Sequence, residues 1–505
     1  MVGNSRPRRD DQYTIRKWII VQGQLVLTTP THIGSGDAEG AADIALQRDS
    51  ITRKALLPGS TLAGALRDYL RALEQGWQRC EPKDDTEAGK GLAERLFGGR
   101  KGDEQGGQSL VLISDALSME ETPRVEMRDG VSIDPVRRTP KSQGKYDLEL
   151  LAAGTSFRLQ FTFGIPATLD LAGEQLLTSA FVTALTGLAQ SQISLGMKKR
   201  RGFGRCKVDN WQVWSFDITV PRQLTQWLAF ERKYAGFTAQ AKPLSLLGSL
   251  LRGDKDRRKT VAVTAQFAIK GSLLIRAEQD EGVKGPDVRH LHARQASGND
   301  RPVISGTGLA GVLRHRAERI ANTIAPGSGE AFARRMFGDV PQHSTDPFIA
   351  RASRLVVHES AIAIERVHAK LVQNRIAIDR FTGGVFDGAL FNEQPVFARS
   401  SDRPHVELKV ELRDPRPPEI GMLLLLLKDL WTGDLPIGGE ASVGRGRLAG
   451  RIATITCNGQ SSPLATFQGD GLKSGDASLL NRYVSTLHKV LNRYVSLLAE
   501  RRKRE

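Results

Sequence analysis

Cysteine is scarce in this 505-residue sequence. Cys80, Cys206 and Cys457 stand far apart and form no CxxC pair. That excludes a disulfide framework and a thiolate zinc site, and it points to a reducing compartment. Long apolar runs are also missing. The most hydrophobic stretch, Met422–Leu427, is closed by Lys428. It is far too short to cross a bilayer and reads as a buried helix or strand segment. The first residues, MVGNSRPRRDDQ, have no apolar signal core, so the expected location is cytoplasmic, with no membrane partner. Walker A, GxSxG and HExxH patterns are all absent, which leaves ATP hydrolysis and serine or zinc hydrolase chemistry without support. Negative charge is in short supply as well: 72 Lys+Arg face 56 Asp+Glu, a net charge of +16. Such an excess favours a polyanionic partner, nucleic acid above all, although basic proteins without one are common.

What the sequence does contain is one long pattern, twice. THIGSGDAEGAADIALQRDSITRKALLPGSTLAGALR spans residues 31–67, and a second version over about 280–314 ends VISGTGLAGVLR. Five further pairs follow in the same order. The first strands WIIVQGQLVL and FAIKGSLLIRA match, as do AERLFGG and ARRMFGD, and SLVLISDALS and SRLVVHESAI. GVSIDPVRRTPKSQGKYDLEL matches RIAIDRFTGGVFDGALFNEQP, and KKRRGFGRCKV matches GEASVGRGRL. All pairs lie about 240–247 residues apart. Six matches in register mean duplication of a whole domain. The expected division is a disordered basic tail over 1–13, a first domain over 14–216, a linker over 217–262, a second domain over 263–458, and a polar segment with a C-terminal helix over 459–505. In that helix NRYVS recurs after 11 residues, nearly three turns, so one apolar face must dock on this chain or on a partner.

Each copy reads as strand, helix, strand, hairpin insertion, strand, helix and glycine-rich strand end. That order predicts an α+β fold with a mostly antiparallel sheet, ferredoxin-like or RRM-like. The hairpins are expected over Asp134–Asp147 and Asp379–Phe391. Each opens on Ile-Asp (Ile133-Asp134, Ile378-Asp379) and carries basic or aromatic residues: Arg137 and Arg138 in one, Arg380 and Phe381 in the other.

Three features point to RNA. Gly34-Ser35-Gly36 follows a strand, while Gly59-Ser60 and Gly306-Thr307 open helices with Ser60 as an expected N-cap; free N–H groups at a helix start suit phosphate. The basic loop Lys198-Lys199-Arg200-Arg201-Gly202-Phe203-Gly204-Arg205 and its counterpart Gly444-Arg445-Gly446-Arg447 combine guanidinium forks with close-approach glycines. Finally, Asp43 and Asp287 lie in corresponding loops. A carboxylate beside a phosphodiester can hold a divalent metal or orient a 2′-hydroxyl. It can also simply pair with Arg48 or Lys54, and a glycine turn or basic loop can be no more than a solvated surface. His32 lies near the first acidic site and His290 and His292 near the second; histidine can shuttle protons near neutral pH.

In THIGSGD, AADIALQRD, LPGSTLAGALR, IDP, GKYDLELLAAGTSF and RRGFGR, the sequence resembles the RAMP superfamily. It is similar in particular to tandem RNA-binding backbone subunits of type III CRISPR effector complexes. The resemblance implies an RRM-like palm with a thumb hairpin in each repeat, and the partners CRISPR RNA, complementary target RNA and other effector subunits. It implies endoribonuclease activity on the target at regular intervals, dependent on a divalent metal, Mg2+, with Asp43 and Asp287 as the catalytic and metal-binding carboxylates. RNA contacts would come from His32, the two glycine motifs, Arg48, Arg67, Arg314 and the basic loops. The second copy has no GSG and carries Ser305-Gly306-Thr307 where the first has Pro58-Gly59-Ser60. Two other roles stay open: a non-catalytic guide-RNA scaffold, and a metal-independent guide-processing ribonuclease with a histidine base.

Overall fold

Ile19, Val21, Leu25 and Leu27 alternate with less buried neighbours and form one face of strand β1 (Ile15–Leu27), because a strand turns successive side chains to opposite sides. The structure, a computed structural model, describes residues 14–34, 45–77, 91–99, 107–134, 139–230, 242–251, 256–277, 285–339, 351–364, 371–398, 404–458, 460, 462–469 and 471–502. Helix α1 (Gly59–Gln75) buries Leu62, Leu66, Leu70 and Leu73, the spacing that keeps one helical face on a core. There follow α2 (Leu92–Phe97), β2 (Val111–Ile113), the hairpin β3 (Val125–Ile133) and β4 (Pro140–Leu151), β5 (Ser156–Pro166), α3 (Leu171–Ala189) and β6 (Cys206–Asp217). The sheet runs β2-β5-β1-β6, antiparallel throughout. With the hairpin set aside, this is the ferredoxin-like order. Helix α4 (Pro221–Phe230) crosses the other face of the sheet, where Trp227 stacks on Trp18 at 5.9 Å and Phe230 meets Trp214.

The second repeat builds the same order again. Its elements are β7 (Thr260–Lys270), β8 (Val288–His290), β9 (Asp300–Ile304), α5 (Gly306–Ile324), α6 (Gly329–Phe337), β10 (Leu355–Val357), β11 (Ser360–Ala363), the hairpin β12 (Gln373–Ile378) and β13 (Val385–Gln394), β14 (His405–Arg413), α7 (Pro417–Thr432) and β15 (Arg447–Cys457). Strands β10 and β11 both pair with β14, which pairs with β7, which pairs with β15. The apolar run Met422–Leu427 lies in α7, with Met422, Leu423, Leu426 and Leu427 buried. Two strands after the repeat, β16 (Ala465–Gln468) and β17 (Gly471–Gly475), extend this sheet beyond β15. The terminal helix α8 (Ala477–Arg502) docks on its own chain, burying Leu480, Leu487 and Leu491. Gly421 permits that contact, since a Cβ there would fall 2.4 Å from Tyr483 O.

Both hairpins are longer than the sequence implied. The first starts at Val125 and ends at Leu151, so Asp134 stands at its tip and not at its base. Asp379 holds the same place in the second. The turns close alike, with Asp134 N–H donating to Thr139 O and Asp379 N–H to Gly384 O, both at 2.9 Å.

Candidate nucleic-acid interface

Three segments of the first repeat meet at His32. The chain leaving β1 bridges the hairpin at Thr31↔Leu151. The His32 ring is fully buried, and its Nδ1 lies 2.7 Å from Glu149 O. The His32 carbonyl accepts Met197 N–H at 2.9 Å, and Gly196, at φ +76°, lies so close that a Cβ would sit 2.0 Å from His32 O. Hairpin base, glycine-rich loop and the segment leading to Asp43 are thus tied together. His32 is the knot of this junction and not an RNA contact, which corrects the sequence reading. Gly34 is required because its Cα abuts the His32 ring. Ser35, Gly36 and Asp43 lie outside the described residues, but the two ends of their segment, Gly34 and Leu46, are bridged to each other. Leu46 N–H also donates to Glu149 Oε2 at 3.1 Å. Arg48 follows on the half-buried return strand, bridged to Ala55.

The second repeat has the matching junction. Arg276 pairs with His290, as Gly34 does with Leu46. Asp287 stands three residues before His290, as Asp43 stands three before Leu46. The Asp287 carboxylate is exposed and accepts Asn392 N–H of β13 at 2.8 Å. His290 is buried, its ring nitrogens near Leu273 O, Ile275 N and Val303 O. Burial pushes its pKa down to about 4, so it is neutral near pH 7 and poorly suited to proton shuttling. His292 Nδ1 lies 2.7 Å from His290 O.

The basic loop divides its labour in a way the sequence did not reveal. Arg200 and Arg201 reach into the second repeat. Arg200 donates to Ser353 O; Arg201 reaches Leu355 O, Ser353 Oγ and Phe337 O, each at 3.4 Å. Burial, with Arg314 and Arg200 nearby, pushes Arg201 down to about 10. Both therefore serve to hold the two repeats together, with Arg200 still half-exposed. Phe203 is buried against Leu148 and Leu150, so it stacks on no base. Lys198, in the left-handed region at φ +52°, donates to Tyr146 Oη at 2.6 Å and lies over that ring. Gly202 and Gly204 have positive φ, and their Cα atoms abut Glu359 N and Leu195 O. Lys199 is exposed and Arg205 half-exposed, both lining the cleft between the repeats. In the second loop Arg445 is buried in an ion-pair network with Glu393 and Glu440, again not an RNA contact. Gly446 abuts Ile437 O, Gly444 faces open space and Arg447 is exposed.

The glycine at each helix start is packed against backbone. The N-cap of α1 is Pro58, not Ser60, and Gly59 N–H donates to Asp115 Oδ1 at 2.7 Å. A Cβ on Gly59 would lie 2.2 Å from Ile113 O, and one on Gly306 2.1 Å from Arg201 O, so strand and loop backbones cover both starts. Ser60 and Thr307 are exposed beside them. Arg67 donates to Gly99 O at 3.1 Å and Arg314 to Gly338 O at 3.3 Å. These arginines fix the turn after each short helix, and both side chains stay half-exposed.

At the hairpin tips Ile133 and Ile378 are 41 % and 58 % exposed and Phe381 is wholly exposed. Arg380 is exposed and Asp379 Oδ1 accepts Phe381 N–H at 2.7 Å; Arg137 and Arg138 lie outside the described residues. Sequence reading missed Arg128 altogether. It sits at the first hairpin's base and crosses to Glu359 at 3.1 Å, while Glu126 accepts Arg294 N–H at 2.9 Å. The first hairpin is therefore pinned on the second repeat, next to the segment that follows Asp287. No local pattern signals it, since its partner Glu359 lies 231 residues away.

Among the described residues no helix is long and apolar enough to cross a membrane. The sequence model of the RAMP superfamily matches the chain twice, over residues 24–207 and 262–449. No curated protein matches it.

Proposed function

The chain belongs to the RAMP superfamily, with two tandem family segments, and from that premise we propose that it is a guide-RNA-binding backbone subunit of a type III CRISPR effector complex that cuts complementary target RNA once per repeat. The observation that carries this reading is the repeated junction. In both copies an aspartate stands three residues before a bridge that ties its loop to the hairpin base and the glycine loop. A duplex of guide and target lying across two such junctions meets a carboxylate and a hairpin at a regular interval. Lys199, Arg205 and Arg447 are placed to take phosphates, and the apolar tips Ile133 and Phe381 to wedge between bases.

In the cut, the carboxylate of Asp43 or Asp287 orients the target 2′-hydroxyl and accepts its proton. The 2′-oxygen bonds to phosphorus, the bond to the 5′-oxygen breaks, and that oxygen takes a proton from water. The donor set fits Mg2+ only in part: Asp287 is one exposed carboxylate with an oxygen already on Asn392 N–H, and Mg2+ commonly takes one or two carboxylates and completes its shell from phosphate and water. Bound there, the metal would neutralise charge growing on the phosphodiester.

Sequencing the RNA that co-purifies with the assembled complex tests guide binding. A target-cleavage assay with Mg2+ or EDTA tests the chemistry: Asp43→Ala is expected to remove one cut and Asp287→Ala another. Undiminished cutting by the double variant sinks the catalytic assignment. A scaffold role is the second reading, favoured at the second repeat by the use of Asp287 as an anchor for β13. Guide processing by a histidine base gains no support from His32 and His290, both buried.

A further inference from the structure

We infer that the face of the first repeat around Gly59, Ser109 and Leu112 is a docking site for a different chain that presents an Arg-Arg-Gly loop, and that a second copy of this chain does not fill it. The inference rests on the duplicated fold, independently of RNA binding.

The second repeat shows how such a face is filled. Three arginines of the first repeat clamp it: Arg200 and Arg201 on the carbonyls around Ser353 and Leu355, and Arg128 on Glu359. Gly202 and the Arg201 carbonyl close over Glu359 N and Gly306. The receiving strand is covered as a result. Val356 is 3 % exposed and the Glu359 side chain 5 %.

The first repeat carries the same receiving face, and among the described residues nothing from the second repeat clamps it in this way. Ser109 stands for Ser353, and each hydroxyl donates at 2.7 Å to the carbonyl two residues on, Val111 O or Leu355 O. Leu112 stands for Val356 and is 51 % exposed. Asp115, the counterpart of Glu359, is exposed. An apolar side chain, a carboxylate and a row of strand-edge carbonyls are what the arginine clamp recognises on the second repeat, and they recur here uncovered.

The other end of the chain cannot supply that clamp. The hairpin registers Arg128↔Leu148 and Gln373↔Glu393 put Gln373 where Arg128 stands. The loop matches Gly202 to Gly444, which puts Ser442 and Val443 where Arg200 and Arg201 stand. All three arginines are lost from the face that a second copy would offer. Loss of both ion-pairing and fork hydrogen bonds is a discriminating change, because a second copy then brings no arginine to Asp115, whose Oδ1 already accepts Gly59 N–H, or to the strand carbonyls.

The test is sedimentation velocity of the full, RNA-free chain. Wild type is expected to be a monomer. Ser442→Arg/Val443→Arg restores the two loop arginines of the clamp at exposed positions (Val443 is 60 % exposed) and is expected to self-associate head to tail. Adding Leu112→Asp is expected to return it to monomer. Circular dichroism matching wild type establishes that each variant is folded. A folded double-arginine variant that stays monomeric, or associates regardless of Leu112→Asp, overturns the docking face. Wild-type self-association abolished by Leu112→Asp overturns the exclusion of a second copy. No RNA enters the assay, so the outcome stands apart from the guide-RNA reading.

Discussion

Arg445 and Glu393 are bonded at 3.0 Å beneath the second hairpin, at the two positions where the first repeat packs Phe203 against Leu148. One fold has thus solved the same contact twice, once with apolar side chains and once with a buried ion pair that Glu440, Arg375 and Gln373 complete. Removing one partner of such a pair strands the other in a low-dielectric site. Arg445→Ala is expected to cost about 3–5 kcal/mol in urea unfolding. The double change Arg445→Phe/Glu393→Leu, which installs the first repeat's residues, is expected to recover most of that loss. Equal damage by the two variants would contradict this account.

His290 gives the fold a pH dependence with a definite sign. Its buried ring titrates at about 4 against an ordinary 6.5, because desolvation disfavours the cation. Between those values the unfolded chain binds a proton that the folded chain does not, so stability falls as pH falls from about 6.5 to 4, by about 3 kcal/mol in all. Unfolding free energies measured across pH 7.5 to 4.5 are expected to show that slope, and His290→Gln to flatten it.

The two glycine loops allow an internal comparison. Gly446 sits at φ +80° with a Cβ position 2.0 Å from Ile437 O, whereas Gly444 sits at φ +88° facing open space. Gly444→Ala meets only the left-handed backbone penalty, about 1–2 kcal/mol. Gly446→Ala adds a clash with backbone that cannot rotate away, and is expected to destabilise by clearly more. Thermal unfolding of the two variants side by side checks the difference.

The duplication, the ferredoxin-like order and the two hairpins were legible in the sequence because local patterns carry them. Leu62, Leu66, Leu70 and Leu73 declare a helix face, and Asp134 and Asp379 mark matching turns. What could not be read was the destination of each charge. Lys199 and Arg201 are two residues apart in one basic run, yet one faces the cleft and the other lies in the second repeat. Composition treats them alike, and only the tertiary arrangement separates them. Phe203 was counted among the RNA contacts for the same reason, since its burial depends on Leu148 and Leu150 some fifty residues earlier. The hairpin lengths were underread because β3 and β4 contain charged residues, Arg128 and Glu126 among them, whose partners belong to the other repeat.

That division within the basic run leads to a prediction that separates binding from folding. Lys199 is exposed and lines the cleft, so a phosphate contact there exchanges counterions with the solution. Lys199→Ala is expected to weaken guide-RNA binding and to lower the slope of log affinity against log salt by about 1. Arg201 instead donates to carbonyls of the second repeat from a largely buried position. Arg201→Ala leaves those acceptors unsatisfied and is expected to cost about 1–3 kcal/mol of stability, with the salt slope of RNA binding unchanged. Filter binding of a guide RNA at several salt concentrations, paired with urea unfolding of the same proteins, reads both quantities. A lower salt slope for Arg201→Ala with intact stability would return that residue to the RNA interface.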